Sequence, residues 1–206
     1  IVSGPIHGTF SVSNLTGVVT YTHDGSETDS DEFTYTVADT GGNISNPARV
    51  TINVTPVNDP LMASNLYQTK SYTEDPTGGL VPFDDIVVTD PDLGETITAT
   101  LTLADVTTGS LTTRGSVGAA ETYNPSTGEW TIVGSVGEVN AALAASGFTP
   151  VSNNDRLTMV LVNLKEAPPG SEQLTGAIVL RITAVNDAPR FTTMGLTEGT
   201  ESIPYV

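Results

Sequence analysis

Val50-Thr51-Ile52-Asn53-Val54-Thr55-Pro56-Val57-Asn58-Asp59-Pro60 decides the fold, because the chain repeats its plan later as Ile178-Val179-Leu180-Arg181-Ile182-Thr183-Ala184-Val185-Asn186-Asp187-Ala188-Pro189. In each copy every second residue is apolar, and most residues between are polar. That period of two is the mark of a strand with one face buried and one wet. Each strand then runs into an Asn-Asp pair followed by proline, a stiff acidic punctuation mark. A strand ending in the same phrase twice signals an internal repeat on the scale of a domain. Three units follow: residues 1–60 are the C-terminal part of one repeat, 61–189 a complete longer repeat, and 190–206 the opening of a third.

The sequence on either side of these phrases extends the pattern. In the first unit Val18–Thr22 reads as a strand, His23–Asp31 as an acidic turn, and Phe33, Tyr35 and Val37 alternate with threonines. In the second, Leu66–Thr73 and Ile97–Leu103 read as strands. Glu121–Asn124 and Glu129–Val133 form a hairpin around Pro125-Ser126-Thr127-Gly128. One helix is predicted after the capping box Ser135-Val136-Gly137-Glu138, with Val139 and Leu143 on one face and Gly147 ending it. Placing Asp31 on Asp155 sets Phe33, Tyr35 and Val37 on Leu157, Met159 and Leu161, which the pattern then turns inward. Leu196-Thr197-Glu198 resembles Tyr72-Thr73-Glu74. The predicted class is all-β with one short helix.

Composition narrows the function. Only 15% of the 206 residues are charged, yet the net charge is -17, so almost all charges are carboxylates. Phosphate binding needs clustered cations, so nucleic acid is not an expected partner. Cysteine is absent, which removes disulfides and thiolate metal sites. No apolar run is long enough to span a bilayer as a helix. His7 and His23 are the only histidines, and nothing in the sequence places them with a serine or a second metal ligand. The carboxylates fall in turns and junctions rather than as an acid/base pair across a cleft. No enzyme is expected. Trp130 shares a strand face with Ile132 and reads as core.

The run Tyr21-Thr22-His23-Asp24-Gly25, then Asp31–Asp39, then Val50–Pro60 resembles a cadherin-like repeat, of the kind found in tandem in large bacterial surface proteins and in the chondroitin sulfate proteoglycan repeat. Asp90-Pro91-Asp92-Leu93-Gly94, Phe148-Thr149-Pro150 and Val185–Pro189 resemble the longer variety. The resemblance implies Greek-key β-sandwich domains in a linear array, outside the cell or on its surface, with calcium at the junctions. Calcium accepts six to eight hard oxygens in flexible geometry, which suits ligands arriving from two domains. Carried over, the first junction uses Asn58, Asp59, Asp90 and Asp92, with Asp29 or Asp31 from the unit before it. The second uses Asn186, Asp187, Glu74 and Asp155, and Glu198 serves a third. Asp39 matches a position facing the preceding junction. Asp90–Gly94 also reads as a plain turn.

The implied role is a structural spacer or adhesion segment, stiffened by calcium, whose partners are neighbouring repeats of the same protein. Two other roles remain open. One is a module binding surface glycans or proteins. The other is a filament subunit in which the ragged ends complement one another by strand addition.

Overall fold

The computed structural model describes residues 1–13, 15–74, 80–92, 94–112, 120–151, 156–167 and 173–185. Four strands come first: β1 (Gly8–Val12), β2 (Val19–His23), β3 (Ser30–Tyr35) and β4 (Ala48–Asn53). They pair as two antiparallel ladders, β1 with β2 and β3 with β4. Phe10 stacks on Phe33 across them at 5.9 Å. The strands that follow are β5 (Met62–Ser64), β6 (Tyr67–Thr73), β7 (Val87–Thr89), β8 (Thr96–Leu103), β9 (Gly109–Thr112), β10 (Ala120–Asn124) and β11 (Glu129–Gly134). Then come α1 (Val136–Ala145), β12 (Gly147–Pro150), β13 (Leu157–Ala167) and β14 (Gln173–Thr183). The predicted all-β class with one helix is what forms.

Six of the later strands build one sheet in the order β10-β11-β8-β13-β14-β6. All neighbours are antiparallel except β6, which lies parallel to β14 at the sheet edge. Its inner face carries Ile97, Ala99 and Leu101 from β8, Trp130 and Ile132 from β11, Val160, Val162 and Leu164 from β13, and Ile178 and Leu180 from β14. The β5–β7 and β9–β12 pairs, with Leu61, Phe83, Leu111 and Phe148, join α1 in the same core cluster. This is an open sandwich: alternation supplies each layer with one apolar face, and the two faces exclude water together.

Local signals set the hairpin and the helix. Gly128 has φ +69°, the left-handed geometry needed where the β10–β11 loop closes. At the helix, the Glu138 N–H donates to Ser135 Oγ at 3.4 Å and the Ser135 N–H donates to Glu138 Oε2 at 2.8 Å, so both halves of the capping box are made. Val139 and Leu143 are buried on its inner face. The helix ends just before Gly147, as the glycine signal implied. Ser146 is the C-cap and donates to the Leu143 carbonyl at 2.9 Å, and Gly147 already opens β12.

One register differs from the sequence alignment. Leu157, Met159 and Leu161 face outward, 57%, 41% and 45% exposed, whereas Val160, Val162 and Leu164 are buried. Both faces of β13 are apolar, so periodicity cannot choose between them. The ladders choose: Phe33 pairs with Val50 and Val160 pairs with Ile178. Phe33 therefore matches Val160, not Leu157, and Asp31 matches the buried Thr158 rather than Asp155. In the first ladder the predicted alternation also ends early. β3 stops at Tyr35, and Val37 is 59% exposed outside it.

Candidate metal centre

The acidic site lies where the phrase Asn58-Asp59 meets the Asp90–Glu95 turn. Asp90 and Asp92 sit between β7 and β8, and the Asp92 N–H donates to Asp90 Oδ1 at 3.0 Å, closing an Asx turn. Gly94, with φ +84°, turns the chain so that Glu95 directly precedes β8. β8 and β13 are antiparallel, with Ile97 opposite Glu166, so the start of one strand lies beside the end of the other. Glu166 occupies the last inward position of β13 and is 1% exposed.

Among the described residues two carboxylate groups could hold a cation. Asp90, Asp92, Glu95 and Glu166 form the first; Glu27, Asp59 and Asp92 form the second. In each, one oxygen per residue lies within 4.8 Å of the others. Asp92 belongs to both, so the groups are contiguous. The Asp59 N–H donates to Asp92 Oδ2 at 2.6 Å, and Asn58 Nδ2 donates to Glu166 Oε2 at 3.4 Å. The linker phrase is thereby tied to the turn and to the end of β13. A groove lined by His7, Glu27, Asp29, Asn58, Asp92 and Glu95 opens over this place.

Three carboxylate oxygens here, Asp90 Oδ2, Glu95 Oε2 and Glu166 Oε1, are buried and accept no hydrogen bond. A buried acceptor without a donor is costly, and a charged one more so. The strain is visible in the acidities. The Glu166 carboxylate facing it, its burial and the charges of Asp90 and Asp92 push Glu95 up to about 7. Burial, joined by the charges of Glu166 and Asp92, raises Asp90 against the pull of the Asp92 N–H. Burial and the charges of Asp92 and Asp59 raise Glu27. An all-oxygen donor set with orphaned, mutually repelling carboxylates fits a hard divalent cation.

A pH dependence follows. Without an ion the folded state holds a proton at Glu95 up to about pH 7, whereas the unfolded chain releases it near the ordinary 4.5. The folded state binds more protons across that window, so stability falls as pH rises through it. The urea midpoint in EDTA is expected to be higher at pH 5 than at pH 7.5. A midpoint that rises steadily over that range would count against the paired carboxylates.

The sites expected from sequence divide into three sets. Asn58, Asp59, Asp90 and Asp92 come together. Asp31 does not join them: it is buried and accepts from the backbone N–H groups of Ile6, His7 and Glu32 and from the Tyr21 hydroxyl, all at 2.8–2.9 Å. Burial opposes its charge, but those donors outweigh it and hold the carboxyl down to about 2. The preceding strands reach the groove through Glu27 instead. Glu74 lies at the other end of the sandwich strands, where its Oε2 accepts from the Val185 N–H at 3.3 Å. Asn186, Asp187, Asp155 and Glu198 lie outside the described residues.

Glu27, Glu95 and Glu166 escaped the sequence reading, and a signal existed for one of them. Glu95 follows the turn glycine directly.

Comparison with known proteins agrees with this architecture. Residues 1–55 match the model of the bacterial Ig domain family. Human mucin-like protocadherin EC1-2 superposes with a TM-score of 0.52 at 16% identity, covering 88% of this chain and 87% of that one. Human CDH23 EC21-23 gives a TM-score of 0.46 at 20% identity, covering 84% and 50%. No curated protein matches the chain in sequence. The fold is a cadherin-like, Ig-like β-sandwich, and residues 1–55 match the bacterial Ig domain family.

Proposed function

We propose that this chain is a structural spacer or adhesion segment of an extracellular protein, built from tandem units that meet at Asn58-Asp59, with calcium stiffening that junction. One observation carries the reading: two contiguous carboxylate groups share Asp92 and draw ligands from three places. Glu27 comes from the N-terminal strands, Asp59 from the linker phrase, and Asp90, Asp92, Glu95 and Glu166 from the larger sandwich. Two unit charges about 5 Å apart repel by roughly 1–3 kcal/mol at effective dielectrics between water and a protein surface. Without an ion the junction relieves that repulsion by opening or by taking up protons. Bound calcium would supply positive charge whose attraction to each carboxylate outweighs their mutual repulsion. Asn58 holds Glu166 in place, and the Asx turn aims Asp90 and Asp92.

Neighbouring units of the same protein are the partners this role requires. The boundary between residues 60 and 61, and the equivalent phrase at Asn186-Asp187, belong to the same proposal. Isothermal titration of the metal-stripped chain with calcium tests it. Saturable binding is expected, weakened more than about tenfold in Asp92→Asn because both groups lose a ligand. An equal titration in parent and variant would refute the assignment.

A further inference from the structure

The six-stranded sheet has a second face, turned away from the core. Register defines one row across it: Glu129 of β11, Thr102 of β8, Leu161 of β13, Ala177 of β14 and Tyr67 of β6 lie side by side on five neighbouring strands. At about 4.8 Å per strand the row is roughly 19 Å long. The next row holds Thr100, Asn163 and Thr175, and the one after it Lys165. Together they line a groove of about 710 Å³, a volume ordinary for a ligand site.

Three features set this groove apart from a merely wetted sheet face. Tyr67 is 72% exposed, the most open aromatic ring among the described residues, and its row neighbour Ala177 offers only a methyl beside it. The side chains of Thr100, Thr102, Asn163 and Thr175 have no hydrogen-bond partner among the described residues. The only charged side chains lining the groove are Lys165 and Glu129, which cancel, in a chain of net charge -17.

The chemistry of an occupant follows. β8, β13 and β14 each have both edges paired, so a peptide cannot add to them as a strand and only side chains meet the ligand. Each threonine hydroxyl both donates and accepts, and the Asn163 amide does the same, which matches a ligand itself rich in hydroxyls. Threonine is under-represented among the residues that dominate protein–protein contacts. A net charge of -17 repels a polyanion, and one lysine beside one carboxylate does not reverse that field. We propose that this face binds a neutral polysaccharide, with one sugar ring stacked on Tyr67 and the following rings laid across the strands, their hydroxyls bonded to Thr100, Thr102, Asn163 and Thr175. The site lies within the larger sandwich and needs no ion, so it stands independently of the calcium reading.

Affinity electrophoresis of the full chain tests the proposal, in gels holding dextran, laminarin, galactomannan or xyloglucan and, separately, heparin or alginate. Saturable retardation by at least one neutral polymer is expected, equal in calcium and in EDTA. Thr100→Val keeps the shape and removes the hydroxyl, and Tyr67→Ala removes the stacking surface. Each should weaken binding more than about fivefold at an unchanged melting temperature. Thr73→Val, exposed on the same strand as Tyr67 but outside the groove, should leave it unchanged. Free mobility in all four neutral gels, retardation by the polyanions alone, or an affinity indifferent to both groove variants overturns the site. Retardation that disappears in EDTA also overturns it, because the acidic junction would then be the binding element.

Discussion

In EDTA the Glu166→Gln variant is expected to melt higher than the parent, and in saturating calcium it is expected to melt lower. The reversal follows from one buried oxygen. Glu166 is 1% exposed, its Oε1 accepts no hydrogen bond, and it faces the Glu95 carboxylate. The amide removes one of two repelling charges and adds an N–H donor that Glu95 can accept. Hydrogen bonds to charged groups contribute about 1.5–3 kcal/mol. For a chain of this size each kcal/mol moves the melting temperature by about 2–4 °C. Calcium acts oppositely. At a concentration about 100 times its dissociation constant it stabilises the parent by roughly 2.7 kcal/mol, and a site short of one carboxylate loses most of that gain. The decrease in stability from pH 5 to 7.5 in EDTA should also flatten in Glu166→Gln. A variant that is destabilised in both buffers would mark Glu166 as a purely structural acid.

Replacing Trp130 by alanine is expected to cost about 3–5 kcal/mol, the range for truncating a buried aromatic. Trp130 is fully buried on the inner face of β11, directly opposite Leu101 of β8. Its Nε1–H donates to Glu121 Oε1 at 2.6 Å across the hairpin. Truncation therefore opens a cavity in the middle of the sheet and cuts a charge-assisted bond that pins β10 to β11. Trp130→Phe keeps much of the volume and loses the N–H, so it should cost less. Urea unfolding followed by circular dichroism measures both, since Trp130 is the only tryptophan and its fluorescence vanishes with it. A loss under about 1 kcal/mol for alanine would mean that the β10–β11 hairpin is peripheral to stability.

The alternating strands, the hairpin and the helix were legible because each rests on local chemistry: period two, a glycine at positive φ, a capping box. The face of β13 was not, because Leu157, Met159 and Leu161 alternate as regularly as Val160, Val162 and Leu164. Only pairing with β14 distinguishes them, and pairing is non-local. That the linker meets Asp90 and Asp92 was legible from turn chemistry and resemblance. Asp31 shows the converse. Its acidic context looks like a ligand, but the fold directs backbone donors onto it, which a sequence does not reveal.

The central claim is that an ion fixes the junction at Asn58-Asp59. The chain has no cysteine, so two introduced thiols take spin labels without competition. Leu15→Cys in the turn between β1 and β2 and Leu157→Cys on the outer face of the large sheet are both exposed sites, at 95% and 57%. Pulsed-dipolar distance measurement between them should give a broad distribution in EDTA and a narrow one in calcium, with Asp92→Asn broad in both. Distributions of equal width with and without calcium in the parent would contradict the account.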